Sequence, residues 1–352
     1  MPHTEFASDN TAGISPEAMV ALMAANNGTT ASYGNDEWTQ RARDAMRKVF
    51  ETECEVFFVF NGTAANSLAL AALCQSYHGI ICHKLAHVES DECGGPAFFT
   101  HGAKLLLVDG ADGKLDPGGI DKLVAAHTDI HAPKPRAVTL AQSTEVGAVY
   151  TPEEIQALGE ACRDMDLALH IDGARFANAV VSLNAQPADI TWRAGVDVLS
   201  FGGTKMGLPN SEAVIFFNRE LARDFVYRCK QAGQLASKMR FLAAPWLGAL
   251  ENNNWLRRAG HANAMARRLG FALWRLPGVE LLFPVQSNAV FVSMPEPAVA
   301  ALRERGWSFL SPLGVNSARF VCSWATQPEQ IERLIADVSA CLGTPDTNTE
   351  PA

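Results

Sequence analysis

Apolar residues recur along this chain in two alternating rhythms. Short, nearly continuous apolar runs closed by glycine, asparagine or aspartate predict buried strands at 55–60, 79–83, 104–109, 136–141, 167–171, 197–201 and 213–217. Between most of them apolar positions return every three or four residues, the spacing of one helical face. A helical pattern covers 37–50, and an apolar helix follows Asn61 and runs to Ala72. Another opens at Thr151-Pro152-Glu153-Glu154, with an N-cap threonine, proline at the first helical position and glutamate three residues after the cap. Strands alternating with helices predict an α/β fold whose largely parallel sheet is covered on both faces.

Near Pro245 the rhythm changes. A long helical stretch reaches about Leu276, strand-like runs follow at 279–283, 289–293 and 319–324, and a helix covers 328–341. The expected division is 1–245 for an N-terminal segment and a large α/β domain, 246–343 for a smaller α+β domain, and 344–352 for a disordered tail. Residues 5–40 look irregular and polar but carry Phe6, Tyr33 and Trp38, as suits a segment wrapped over another surface.

Composition narrows the function classes. With 352 residues, 48% hydrophobic and 19% charged, the chain has material for a large core and two domains. A net charge of −9 argues against a nucleic-acid partner, whose phosphates call for a basic patch. Eight cysteines at irregular spacing, with no CxxC pair, indicate neither a metal site nor a disulfide framework, and point to a reducing cytoplasm. No apolar run is long enough to span a membrane, and the N-terminus lacks a signal peptide's regions.

Candidate chemistry sits where strands end. The run Val196 to Phe201 breaks at Gly202-Gly203 and leaves Lys205 in a tight turn, a setting that suits Schiff-base chemistry. Taken alone, such a lysine also reads as a solvated loop residue. Upstream, the run 167–171 closes on Asp172, which alone could be a turn or cap residue. Together they match the pairing that pyridoxal phosphate needs: a lysine for its aldehyde and an aspartate for its pyridinium nitrogen. Asn61-Gly62-Thr63 between a strand and a helix start is a generic phosphate cradle, a form that empty turns also share. Neither a GxGxxG nor a GxxxxGK[ST] sequence occurs, which removes the main support for nicotinamide or nucleoside-triphosphate chemistry.

In their order, Gly62-Thr63, Asp172-Gly173-Ala174-Arg175 and Lys205 make the chain resemble the threonine aldolases. The likeness extends from Phe6 to about residue 340 and includes Tyr33-Gly34-Asn35-Asp36, His87, and Gly94 to Phe99. It implies a fold-type I, aspartate-aminotransferase-like enzyme with a mostly parallel seven-stranded sheet, using pyridoxal 5′-phosphate. Lys205 would be the Schiff-base lysine, Asp172 the partner of the ring nitrogen, and Gly62 and Thr63 phosphate ligands, with Thr204 and Arg175 also at the cofactor. His87 would stack on the ring near the substrate hydroxyl. Ser8, Arg175 and Arg319 would hold the substrate carboxylate, to which an arginine fork is matched. Tyr33 would reach a neighbouring subunit's site, in a homotetramer built as a dimer of dimers.

One position departs from the family: where many members carry a histidine, this chain has Glu145, in Gln142-Ser143-Thr144-Glu145. The resemblance implies retro-aldol cleavage of L-threonine, L-allo-threonine or larger β-hydroxy-α-amino acids to glycine and an aldehyde. The proton acceptor at the β-hydroxyl is His87, a water it holds, or Glu145, with His87 or its water favoured. A phenylserine-preferring aldolase, a β-eliminating lyase or aminotransferase, and a non-catalytic binding protein are the other readings of the same scaffold.

Overall fold

Ten strands form two sheets in a computed structural model that describes residues 5–343. The expected tail at 344–352 lies outside the described residues. The strands are β1 (Glu55–Val59), β2 (His78–His83), β3 (Lys104–Val108), β4 (Lys134–Ala141), β5 (Ala168–Gly173), β6 (Val198–Gly202), β7 (Glu212–Phe216), β8 (Glu280–Leu281), β9 (Ala289–Ser293) and β10 (Ser317–Val321). The first seven make one sheet in the order β1-β7-β6-β5-β4-β2-β3. All its neighbours run parallel except β7, which is antiparallel to both β1 and β6. This is the mostly parallel, seven-stranded sheet expected.

Burial explains why these runs fold as strands. Every residue of β2, β5, β6 and β7 is buried, the pattern of a sheet covered on both faces. One apolar cluster joins Phe58, Ile171, Leu199 and Phe201 to helices on one face; a second joins Val59, Val198, Val214 and Phe216 to the Gly62–Leu73 helix on the other. Phe201 meets Phe50, Phe176, Trp246 and Trp255 at ring-centroid distances of 5.9, 5.4, 4.9 and 5.4 Å. Aromatic pairs of this kind contribute about 0.5–1.5 kcal/mol each beyond their buried area, which fixes the end of β6 just ahead of Lys205.

Two helix starts follow from single side chains. Asp36 accepts the Thr39 N–H at 2.8 Å and opens Glu37–Phe50. Thr151 and Glu154 form a reciprocal capping box at the head of Pro152–Asp164.

Elsewhere the structure corrects the sequence reading. The stretch 5–40 contains a helix, Pro16–Ala25, capped by Ser15 and begun by a proline. It crosses Arg240–Leu250 so closely that a Cβ at Gly248 would lie 2.1 Å from the Glu17 carbonyl oxygen. The helical stretch expected up to Leu276 is two helices, Arg240–Leu250 and Asn254–Trp274, broken where Asn252 and Asn253 take φ of 51° and 55°. Val279–Phe283 shrinks to the two residues of β8.

The three-stranded sheet β10-β9-β8 packs with Pro328–Cys341 and the second half of Asn254–Trp274 around a third apolar cluster. Phe6 is buried in that cluster, and Val321 N–H donates to the Phe6 carbonyl at 2.8 Å. The N-terminal segment is thereby fastened across β10 and delivers Ala7 to Asp9 toward the edge of the large sheet.

Candidate active site

Parallel strands bring their C-terminal ends to one edge, and ligands in open α/β sheets bind outside that edge. The register sets Asp172 of β5 beside Ser200 of β6, and β6 then turns through Gly202-Gly203 into Thr204–Met206, which carries Lys205. The turn is tight: a Cβ at Gly203 would lie 2.2 Å from the Ser211 carbonyl oxygen. On the other side β1 ends at Val59, and Asn61 caps the Gly62–Leu73 helix by accepting the Ala64 N–H at 2.8 Å.

A cavity of about 460 Å³ opens between these elements, lined among others by Gly62, Thr63, His87, Asp172, Thr204 and Lys205. Six of the expected site residues are thus gathered around one space. A hollow of about 840 Å³ lies elsewhere and one of about 800 Å³ adjoins the cavity, but no lysine–aspartate pair lines either.

Asp172 is held from two sides. Its Oδ2 accepts from Asn66 Nδ2 at 2.9 Å and its Oδ1 from the Ala174 N–H at 3.0 Å. Asn66 Nδ2 also donates to Glu92 Oε1 at 2.8 Å, and the same oxygen meets His87 Nδ1 at 2.8 Å. A chain His87–Glu92–Asn66–Asp172 therefore runs behind the cavity. The sequence reading did not include Glu92 or Asn66; each stands one turn or one loop away from a residue it did include.

The wholly buried Glu92 side chain keeps the His87 imidazole protonated to a higher pH than usual, against the opposing effect of burial. Burial pushes the Glu92 carboxyl up as well, partly offset by its hydrogen bonds with His87 and Asn66. Replacing Glu92 by Gln is expected to lower the His87 titration midpoint by about one pH unit, read from its imidazole NMR signals. An unmoved midpoint would show that the pair is only a packing contact.

The remaining expected residues do not line this space. Arg175 turns its fork onto Asp9, with Nε to Oδ2 and Nη2 to Oδ1 both at 2.8 Å, and Asn288 Nδ2 also donates to Asp9 Oδ2 at 2.9 Å. The bidentate partner of Arg175 is therefore Asp9, and what remains toward a ligand is the guanidinium's other edge. Although its burial opposes ionisation, Arg175, with the Lys205 charge, holds the Asp9 carboxyl below the usual range.

Arg319, on β10, donates from Nη2 to the Ala7 carbonyl at 3.2 Å, while its buried Nε has no partner among the described residues. Ser8 accepts from the Asn10 N–H at 3.2 Å. Glu145 accepts no hydrogen bond among the described residues. Burial first and the Asp172 charge second push its carboxyl up, offset by Arg175, His87 and Lys205. Tyr33 stands apart, 46% exposed, its ring 4.6 Å from Lys230 Nζ.

Pyridoxal phosphate fits this set of donors and acceptors. Lys205 offers an amine and Asp172 a fixed carboxylate. The Gly62 and Thr63 N–H groups, in the first turn of a helix and without a partner among the described residues, suit an anion. His170, two residues before Asp172 on β5, is held by Thr139 at 2.8 Å and Ser200 at 2.9 Å, and burial lowers it to about 4, so it stays neutral.

Comparison with known proteins bears on the same site. The beta-eliminating lyase family model matches residues 5–296. A low specificity L-threonine aldolase of Pseudomonas aeruginosa is 57% identical over 97% of this chain and 99% of its own length. One from Escherichia coli K12 is 30% identical over 85% and 87%. Among solved structures, the threonine aldolase of Leishmania major superposes with a TM-score of 0.90 at 27% identity, covering 96% of this chain and 99% of that one.

Proposed function

We propose the following division of labour for a chain that belongs to the beta-eliminating lyase family and, within it, to the low specificity L-threonine aldolases. The protein is a pyridoxal-phosphate-dependent carbon–carbon lyase. It cleaves L-threonine, L-allo-threonine and other β-hydroxy-α-amino acids to glycine and an aldehyde.

When bound, pyridoxal phosphate supplies the electron sink that takes up the electron pair of the breaking Cα–Cβ bond. Lys205 would anchor it, with Thr204 beside the lysine, Gly62 and Thr63 would hold its phosphate, and Asp172 would keep the proton on its ring nitrogen. The observation that carries this assignment is the pairing of Lys205 and Asp172 on adjacent strand ends around one cavity, opposite a helix start with free N–H groups.

Substrate orientation falls to the three residues brought in by the N-terminal segment, β5 and β10. Ser8, the open edge of Arg175 and the unpartnered Nε of Arg319 bind the α-carboxylate. A carboxylate fixed at that end would set which bond of Cα is presented for cleavage. His87, its Nδ1 tied to Glu92, has Nε2 left to take or return the proton of the β-hydroxyl, directly or through a water. Glu145, with its raised carboxyl and no hydrogen-bond partner, is the second group able to do so.

The assembly we infer is a homotetramer, a dimer of dimers, with sites at the dimer interface, working in the cytoplasm. Its support is an apolar hollow of about 800 Å³ that shares Phe60 and Asn210 with the cavity, flanked by Met23 and Phe60, exposed at 69% and 51%. All eight cysteines are free, which suits a reducing compartment. No described helix is long and apolar enough to cross a membrane.

If Tyr33 serves a neighbour's site, mixing Tyr33→Ala and Lys205→Ala chains under subunit exchange restores activity. Mixed dimers then carry one intact site, so roughly a quarter of all sites recover. No recovery would place Tyr33 in its own subunit's site.

A further inference from the structure

The cavity holds a further acid, at the start of β7. Glu212 opens β7, and the antiparallel register sets it beside Gly202 of β6 and Val59 of β1, between the Lys205 turn and the phosphate cradle. Its side chain is buried and lines the cavity with Lys205, Thr204 and Gly62. Glu212 Oε2 accepts the Gly203 N–H, and the Thr204 N–H and hydroxyl also approach the carboxylate. The three donors belong to the two residues just before Lys205, so this one side chain ties down the turn that presents the amine.

A hydrogen-bond clamp alone does not call for an acid. A glutamine at this place keeps an amide oxygen for the Gly203 N–H and avoids burying a charge, which is costly without a compensating partner. The partner at hand is Lys205. Among the described residues it is the only cation lining the cavity from the Gly202–Met206 side, and Glu212 responds to its charge. From the other elements around the cavity come Asp172 of β5, His87 and Asp91, while Asp9 and Glu145 also feel the Lys205 charge; Val59 of β1 and, at the helix start, Phe60, Gly62 and Thr63 do not titrate. Burial raises the Glu212 carboxyl to about 7, partly offset by Thr204, Gly203 and Lys205, so it carries its charge above that pH.

We propose that Glu212 is a positioning residue for Lys205: its carboxylate fastens the Gly203–Thr204 turn and, by its charge, holds a proton at the Lys205 nitrogen. The inference rests on the assignment of Lys205 as the residue that binds the cofactor.

The sign follows from electrostatics. An anion beside a protonated nitrogen favours the proton, so removing the anion lets the proton leave at lower pH. The experiment compares purified holoenzyme with Glu212→Gln, Glu212→Asp and Glu212→Ala. It follows the visible absorption of the lysine-bound cofactor against pH, and cofactor retention on dialysis.

Glu212→Gln is expected to retain the cofactor like wild type but to titrate about one pH unit lower, a tenfold weaker hold on the proton. Glu212→Asp, which keeps the charge, is expected to titrate near the wild-type midpoint. Glu212→Ala, without clamp or charge, is expected to lose cofactor on dialysis about tenfold faster and to titrate low. A Glu212→Gln midpoint equal to wild type would overturn the proposal and leave Glu212 as a clamp only. So would a Glu212→Asp midpoint as low as that of Glu212→Gln. A wild-type protein with no titrating lysine-bound band would instead overturn the Lys205 assignment, a failure visible before any Glu212 variant is examined.

Discussion

Lys205→Ala is expected to lower acetaldehyde release from L-threonine by about a thousandfold or more, at saturating pyridoxal phosphate. The size of the loss follows from geometry. Lys205 is the one lysine lining the cavity, so no second amine can take its place. Its turn is packed too closely at Gly203 for a neighbouring segment to shift in. The fold itself loses little, because Lys205 is half-buried and enters no ion pair or apolar cluster among the described residues. Circular dichroism and the unfolding temperature are therefore expected to match wild type. A rate within tenfold of wild type would mean that another residue anchors the cofactor.

Asp172→Asn is expected to reduce kcat by about a hundred- to a thousandfold, the size of effect seen when a preorganised charge is removed from a reacting centre. The amide occupies the same volume and can still accept from the Ala174 N–H, which meets Oδ1 at 3.0 Å. What it cannot do is keep a proton on the cofactor's ring nitrogen, since it carries no charge. It also sets an N–H against the Asn66 Nδ2 that now donates to Oδ2 at 2.9 Å. Asp172→Glu keeps the charge but displaces it, and activity between the two is the expected order. If Asp172→Asn turned over within tenfold of wild type, the carboxylate would be serving the Asn66–Glu92 chain and not the ring.

How far the sequence anticipates this arrangement depends on the range of the interaction involved. Glu37–Phe50, Ala289–Ser293 and Pro328–Cys341 have the same bounds in the sequence reading and in the structure. Their signals are local: Asp36 ahead of the first helix, Pro328 at the head of the last, and an apolar run for the strand. Pro16–Ala25 carried an equally local start signal in Ser15-Pro16. Its apolar residues mislead, because Met19, Val20 and Met23 lie exposed, so no one-sided stripe marks the helix. The break at Asn252 and Asn253 escapes periodicity because both flanking helices are apolar enough to read as one.

The same distinction runs through the site. Lys205, Asp172 and the Gly62-Thr63 turn are legible because strand-end chemistry is written in neighbouring residues. The partners that fix their behaviour come from far along the chain. Asp9 closes the Arg175 fork across 166 positions, and Asn66 reaches Asp172 across 106. Glu212 reads in sequence as the polar edge of a strand and nothing more; only its antiparallel pairing with β6 brings it to the lysine turn.

The measurement that bears most directly on the whole account is the product analysis of wild-type protein supplied with pyridoxal phosphate and L-threonine, then with L-allo-threonine and L-phenylserine. Retro-aldol cleavage gives glycine and the matching aldehyde in equal amounts, with no ammonia and no keto acid. Ammonia with a keto acid and no glycine would mean that the bond broken is at Cα–H, and the scaffold would then carry β-elimination in place of the aldol reaction.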